Sequence, residues 1–230
     1  MQTTSNYSST IVKKPWGYEY LAYENEQVAL WFLRINKDQS TSMHCHPKKT
    51  TGLVLLDGEA EVSFLADKRQ LKSLDKVMIR RGLFHSTKAL STNGAFVFEI
   101  ETPVDKHDLV RLNDKYGREA KPYEDSSFEI HKDDKCLWID EPSLNQSFDY
   151  QFANCTLRVE NIDNISAISS KEDTDLIVFL KGGLVRNVDN TSHCVTIPGD
   201  VGFVNIIKQV ASQLDGVLSN TIIMTITKNG

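Results

Sequence analysis

The sequence lacks the features that mark secreted, disulfide-bonded or membrane-spanning proteins. Its four cysteines (Cys45, Cys136, Cys155 and Cys194) have no close spacing, which argues against both a cysteine-pair zinc framework and a disulfide scaffold. No apolar run approaches the ~20 residues of a membrane-spanning helix. The polar first 12 residues contain no apolar core of a secretory signal. These absences predict a cytoplasmic protein with reduced thiols.

An excess of positive charge is also missing. The 26 Lys and Arg residues are outnumbered by 31 Asp and Glu residues, and the net charge is −5. Such a chain releases few counterions from a phosphate backbone, which argues against a nucleic-acid partner. Local basic pairs, such as 48–49 and 80–81, could still bind one small phosphate. The expected partner is therefore a small molecule, with no nucleic acid and no membrane; a homodimer stays open.

Short stretches of β-forming residues follow one another without amphipathic helices between them. In the first half of the chain these stretches are 18–23, 27–35, 52–56, 59–65, 76–80 and 95–101. Turn signals such as the Asp-Gly pair at 57–58 separate them. Only 105–115 is expected to carry a helical turn. This pattern predicts an all-β sandwich or barrel.

Three histidines form the most informative pattern. His44 and His46 are one residue apart, so on an extended strand both imidazoles leave the same face. His85 follows a glycine turn at the start of a later strand. If the fold places that strand beside the first, three neutral imidazoles converge and leave coordination positions open. The pattern predicts a metal site of His44, His46 and His85, with Cys45 pointing away from it.

These motifs and their flanks resemble a known superfamily. The His-x-His pair, the strand ending in Asp-Gly at 57–58, and the glycine three residues before His85 resemble the two motifs of cupins. Lys-Pro-Trp-Gly-Tyr-Glu at 14–19 and the segment 108–118 resemble the edges of the cupin domain of type II mannose-6-phosphate isomerases. The resemblance covers about residues 13–120. It implies a double-stranded β-helix (jelly-roll) barrel that binds one divalent transition metal (Zn, Mn, Fe, Ni or Co).

One position departs from the cupin pattern. Thr51 stands where cupins usually place a glutamate ligand, and a neutral hydroxyl is a poor ligand beside a carboxylate. Glu99 and Glu101 share one face of the strand 95–101. If that face is the inner one, they enter the cavity as a replacement ligand or as catalytic acid/base groups. The alternative is that this face is outer and that the opposite, apolar face fills the core.

Four residues are predicted to contact a substrate. Lys49 and Arg80 lie next to the histidines in sequence and suit a phosphate, although charged pairs often belong to solvated loops. Tyr18 is a candidate for the cavity wall, although aromatic residues on barrel strands are often core. Thr51 completes the set, at the position of the missing glutamate.

The second half of the chain resembles the first in its strand pattern. A shift of 124 residues overlays apolar segments such as 53–56 on 177–180 across about 50 residues. We interpret the chain as two tandem barrels, a bicupin, with domains 1–122 and 123–230. The same shift places the three histidines on Ile168, Ser170 and Gln209, so metal is expected in the N-terminal barrel only. The alternative is one barrel with a long decorated tail.

Three functions are compatible with these patterns. The resemblance implies a metal-dependent isomerase or epimerase of a phosphorylated or nucleotide-linked sugar. A site of three histidines without a carboxylate resembles instead the Fe(II) centre of cupin dioxygenases. The third function is a non-catalytic cupin that binds a small molecule, since the second half shows that ligands can be lost.

Overall fold

The computed structural model describes residue 7 and residues 10–118, 128–129, 136–189 and 191–229. The chain divides into two compact units, Met1–Ile139 and Asp140–Gly230. The predicted domain boundary after residue 122 lies outside the described residues. Both units consist mainly of antiparallel strands, as the all-β prediction requires.

The first unit contains twelve of the strands among the described residues. They are β1 (Ile11–Lys14), β2 (Gly17–Glu24), β3 (Ala29–Ile35), β4 (Met43–Cys45), β5 (Thr50–Asp57), β6 (Glu59–Phe64), β7 (Lys68–Lys72), β8 (Lys76–Ile79), β9 (His85–Ala89), β10 (Ala95–Thr102), β11 (Val110–Asn113) and β12 (Phe128–Glu129). They form one sheet in the order β12-β1-β2-β3-β10-β5-β8 and a second in the order β11-β4-β9-β6-β7. The region 105–115, predicted to carry a helical turn, holds a hydrogen-bonded turn at 105–108 and then strand β11.

The core of the first unit lies between its two sheets. Trp31 and Leu55 of the larger sheet belong to one buried cluster with Val62 and Ala89 of the smaller sheet. The larger sheet is buried on its other face too, where Phe32 packs against neighbouring aromatic rings. Strands covered on both faces need apolar residues at nearly every position. This explains the continuous apolar run of β3.

One sheet of the second unit repeats the order of five strands of the first unit. Its elements are β13 (Ser147–Phe152), β14 (Cys155–Ile162), α1 (Ser166–Ser169), β15 (Leu176–Lys181), β16 (Leu184–Val188), β17 (Thr191–Cys194), β18 (Val201–Phe203), α2 (Val204–Ala211), β19 (Gly216–Val217) and β20 (Thr221–Lys228). Its sheets run β13-β14-β20-β15-β18 and β17-β16-β19. The first of these orders matches β2-β3-β10-β5-β8, and β15 lies where the 124-residue shift places β5.

The second unit differs where the first carries its histidines. The 124-residue shift moves β4 onto helix α1, and Ile168 of that helix is fully buried in the unit's core. The same shift moves His85 to Gln209 of helix α2. Neither helix was predicted, although Val204, Ile207 and Ala211 of α2 have the three- and four-residue spacing of a buried helix face. Hydrogen bonding among the described strands forms open sheets, and tandem closed barrels stay a prediction.

Among the described residues, no helix has the length and apolar character needed to cross a membrane.

Candidate metal centre

Two antiparallel strands of the smaller sheet bring the three histidines together. His44 of β4 is the direct partner of His85, the first residue of β9, so both side chains leave the same face. His46 lies two residues beyond His44. The ring centroids are 4.4 Å apart for His44 and His85, 5.0 Å for His44 and His46, and 5.5 Å for His46 and His85. The N–H of Gly82 donates to the carbonyl of His46 at 2.8 Å and so connects the two segments.

Backbone carbonyls hold each imidazole in the tautomer that a metal requires. The Nδ1 atoms contact the carbonyl oxygens of Ser42 at 2.8 Å (His44), Asp108 at 2.7 Å (His46) and Leu83 at 3.1 Å (His85). A carbonyl can only accept, so each Nδ1 carries the hydrogen and each Nε2 keeps its lone pair. Nε2 of His46 is buried and has no hydrogen-bond partner among the described residues. Three oriented lone pairs, with one buried nitrogen unpartnered, fit a divalent transition metal.

The environment keeps these imidazoles neutral. Burial, together with the nearby imidazoles, holds the pKa of His44 well below its usual value. Burial lowers the pKa of His46 to about 4, with a further contribution from the ammonium of Lys49, and burial likewise lowers the pKa of His85 to about 4. A neutral imidazole is the form that binds metal, so the site is ready for an ion near neutral pH.

Acidification is expected to destabilise the metal-free chain. In the unfolded chain a histidine titrates near pH 6.5, whereas the pKa of His85 in the fold is about 4. Between these values the unfolded chain binds protons that the folded chain does not, so the free energy of unfolding falls as the pH falls through this window. Urea unfolding at pH 7.5 and pH 5 in a chelator measures the loss. His85→Gln should show a smaller loss than wild type, and equal losses would contradict the expectation.

Two carboxylates of β10 lie beside the histidines. The inner-face residues of this strand are Ala95 and Val97 in the core, followed by Glu99 and Glu101 at the cavity. Oε1 of Glu99 is 4.0 Å from Nε2 of His46. Glu101 is 2% exposed and accepts a 2.6 Å hydrogen bond from Nζ of Lys49. The opposite, apolar face of β10 is buried as well, because Phe98 and Ile100 lie there. β10 is therefore buried on both faces.

The two carboxylates have opposite protonation tendencies. Burial, together with the charge of Glu101, raises the pKa of Glu99 to about 8. Burial also acts to raise the pKa of Glu101, but the ammonium groups of Lys49 and Lys106 outweigh it and hold that pKa below its usual value. Without a bound cation, Glu99 is therefore protonated near pH 7 and Glu101 is ionised. Environments that separate two carboxyl pKa values in this way suit an acid/base site.

Charged side chains line the cavity next to these carboxylates. Lys106 lies over the ring of Trp31, 3.4 Å from its centroid, and is 3.1 Å from Glu19. The other charged residues of the lining, besides the two β10 carboxylates, are Lys14, Lys49, Arg111 and Arg118. Sequence reasoning assigned no role in the site to Lys106, Glu19, Arg111 or Arg118. Their only signal was their position in the two flanking segments, 14–19 and 108–118, or beside the second of them.

The predicted substrate residues have different positions. Lys49 lines the cavity. Thr51 is fully buried as the direct partner of Glu101, and its Oγ1 has no hydrogen-bond partner in the described part of the chain. Arg80 is exposed in the turn after β8 and is not part of the cavity lining. Tyr18 lies on the face of β2 opposite Glu19, stacks against Tyr20 at 6.5 Å and is not part of this cavity's lining.

Comparisons with known proteins give fold-level likenesses only. No family model matches the chain, and a search of curated proteins finds no match. A cupin-2 domain containing protein from Shewanella frigidimarina is 14% identical, over 39% of this chain and 83% of that chain, with a TM-score of 0.34. The capsular polysaccharide assembling protein CapF from Staphylococcus aureus is 14% identical, over 45% of this chain and 34% of that chain, with a TM-score of 0.42.

A putative sugar phosphate isomerase from Acidithiobacillus ferrooxidans is 17% identical, over 34% of this chain and 52% of that chain, with a TM-score of 0.32. At TM-scores below 0.5, these likenesses do not assign a function to the chain. Any assignment of function therefore depends on the geometry of the site.

Proposed function

We propose that this protein is a metal-dependent isomerase or epimerase of a phosphorylated or nucleotide-linked sugar. The observation that carries the proposal is the set of three Nε2 lone pairs fixed by backbone carbonyls, with two buried carboxylates and several cations beside them. A metal held by His44, His46 and His85 would polarise a carbonyl and its neighbouring hydroxyl as a Lewis acid. The sequence resemblance to type II mannose-6-phosphate isomerases supports the same assignment.

The side chains of the cavity supply the remaining steps. Glu101 is ionised at neutral pH and takes a proton from the carbon beside the carbonyl. For isomerisation it returns that proton to the former carbonyl carbon, while the proton of the neighbouring hydroxyl passes to the former carbonyl oxygen, so bonds and charge balance without a further reactant. The ammonium of Lys49 holds the carboxylate in place. Lys106 and Arg118 line the same cavity and attract an anionic group of the substrate.

The wider organisation is also a proposal. We infer that the two units are copies of one cupin-like fold, because their larger sheets share a strand order, and that only the first unit binds metal. The histidine strand of the first unit corresponds to helix α1 of the second, which offers no ligand at that place. A cytoplasmic location and a homodimer stay predictions from the sequence.

Elemental analysis tests the proposed function first. Wild type purified without added metal is expected to hold close to one transition-metal ion per chain, and His44→Ala is expected to lose it. The wild type should then interconvert members of a panel of aldose phosphates, ketose phosphates and nucleotide-linked hexoses. Stoichiometric iron with oxygen uptake would favour the dioxygenase instead. No metal after reconstitution would leave a binding protein.

A further inference from the structure

The proposed metal site contains a carboxylate whose role the three histidines leave open. Glu99 belongs to β10 of the larger sheet, whereas the histidines belong to or adjoin strands of the smaller sheet. Its Oε1 lies 4.0 Å from Nε2 of His46, and its side chain is 12% exposed. The side chain therefore reaches the centre from the opposite sheet, where its charge is largely shielded from water.

We propose that Glu99 is the fourth protein ligand of the metal. The proposal rests on the proposed function only for the existence of a metal bound by the histidines. An imidazole nitrogen and a carboxylate oxygen that bind one ion, each at about 2.1 Å, lie roughly 3 to 4 Å apart. The 4.0 Å separation between His46 and Glu99 is at the upper end of this range. The ligand atoms of His46 and Glu99 belong to one group within 4.8 Å, and those of the three histidines to another, so the Glu99 side chain has to move toward His44 and His85 to complete the coordination.

Apart from the ammonium groups of Lys106 and Lys49, which act at longer range, the neighbours of Glu99 give its charge no support. Its direct partners on the flanking strands are Trp31 of β3 and Leu53 of β5, both apolar at this position. Within the described part of the chain, the Glu99 side chain has no hydrogen bond, and its one close ionic contact is with His46. A buried carboxylate needs a cationic partner to stay ionised. A metal ion bound to Nε2 of His46 would be such a partner.

Glu101 differs from Glu99 because it already has a cationic partner. Its carboxylate already accepts the 2.6 Å hydrogen bond of Lys49, and its direct partner on β5 is Thr51 rather than an apolar residue. To bind metal, Glu101 would have to give up a charge-assisted bond in a site that water barely reaches. The two carboxylates therefore have different roles. Glu99 binds the metal, and Glu101 stays available for proton transfer.

The identity of the ligand predicts a metal preference that an activity assay would not reveal. Imidazole suits Zn²⁺, whereas a carboxylate strengthens binding of harder ions such as Mn²⁺. Loss of Glu99 should therefore weaken Mn²⁺ binding more than Zn²⁺ binding. A purely structural role of Glu99 would weaken both ions alike and lower the melting temperature.

The test measures dissociation constants of Mn²⁺ and Zn²⁺ for the full chain by chelator competition. We expect Glu99→Gln to weaken Mn²⁺ binding by about 100-fold or more and Zn²⁺ binding by no more than about 10-fold. The control is the double variant Lys49→Met/Glu101→Gln, which removes a buried ion pair without changing the net charge. It should bind both ions within about threefold of wild type, since it removes no ligand.

Each outcome decides a separate question. Wild-type Mn²⁺ affinity in Glu99→Gln would overturn the inference and leave the histidine site intact. Equal losses for both ions together with a lower melting temperature would also overturn it. Failure of the wild type to bind either ion, with His44→Ala unchanged from it, would overturn both the inference and the proposed function. Loss of Mn²⁺ in the double variant would identify Glu101 as the ligand instead.

Discussion

Glu101→Gln is expected to lower the turnover number of sugar isomerisation by roughly 10² to 10⁴-fold while the metal stays bound. The amide has nearly the shape of the carboxylate but cannot take a proton from carbon. Exchange of the carbon-bound substrate proton with deuterium from solvent, followed by NMR, measures the step directly. Elemental analysis of the same sample shows that the metal is retained.

The chain offers a matched control on its surface. Glu61 of β6 also accepts a hydrogen bond from a lysine, Lys68, at 2.9 Å, but this lysine is 66% exposed. Glu61→Gln makes the same chemical change outside the cavity lining and should leave turnover within about twofold of wild type. Proton exchange at the wild-type rate in a metal-loaded Glu101→Gln variant would show that another group moves the proton.

Several strands and the clustering of the three histidines could be predicted from the sequence because both have local signals. The ends of the predicted segments 52–56, 59–65 and 95–101 lie within two residues of the ends of β5, β6 and β10. Alternation and turn residues mark such strands without reference to the rest of the fold. His44 and His46 share a face because a strand has a period of two. His85 required one further assumption, that β9 pairs with β4.

The carboxylates show where pattern reasoning fails. β10 is buried on both faces, so hydrophobicity could not decide which face carries Glu99 and Glu101 toward the cavity. Arg80 is exposed in the turn after β8 and lies outside the cavity lining, so its contact with a phosphate stays a prediction. Lys106 lies in the connection after β10, far in sequence from Glu19 of β2, yet the two side chains form an ion pair at the cavity. Only the three-dimensional pairing of strands places these groups.

Lys49→Met is expected to destabilise the first unit by about 3 to 5 kcal/mol, the cost of leaving one member of a buried ion pair without its partner. Lys49 is 1% exposed and Glu101 2% exposed, so water cannot replace the missing ammonium. All three tryptophans of the chain, Trp16, Trp31 and Trp138, belong to the first unit. Urea unfolding followed by tryptophan fluorescence in a chelator therefore reports on that unit.

The double variant Lys49→Met/Glu101→Gln should regain most of the lost stability, because it removes both charges and leaves neither one buried alone. Lys68→Met, which breaks the exposed pair with Glu61, should change stability by no more than about 0.5 kcal/mol. A loss below about 1 kcal/mol for Lys49→Met would place this pair in the energy range of surface pairs. Glu101 would then tolerate the loss of Lys49, and its ionised state, on which the proton transfer depends, would rest on the ammonium of Lys106.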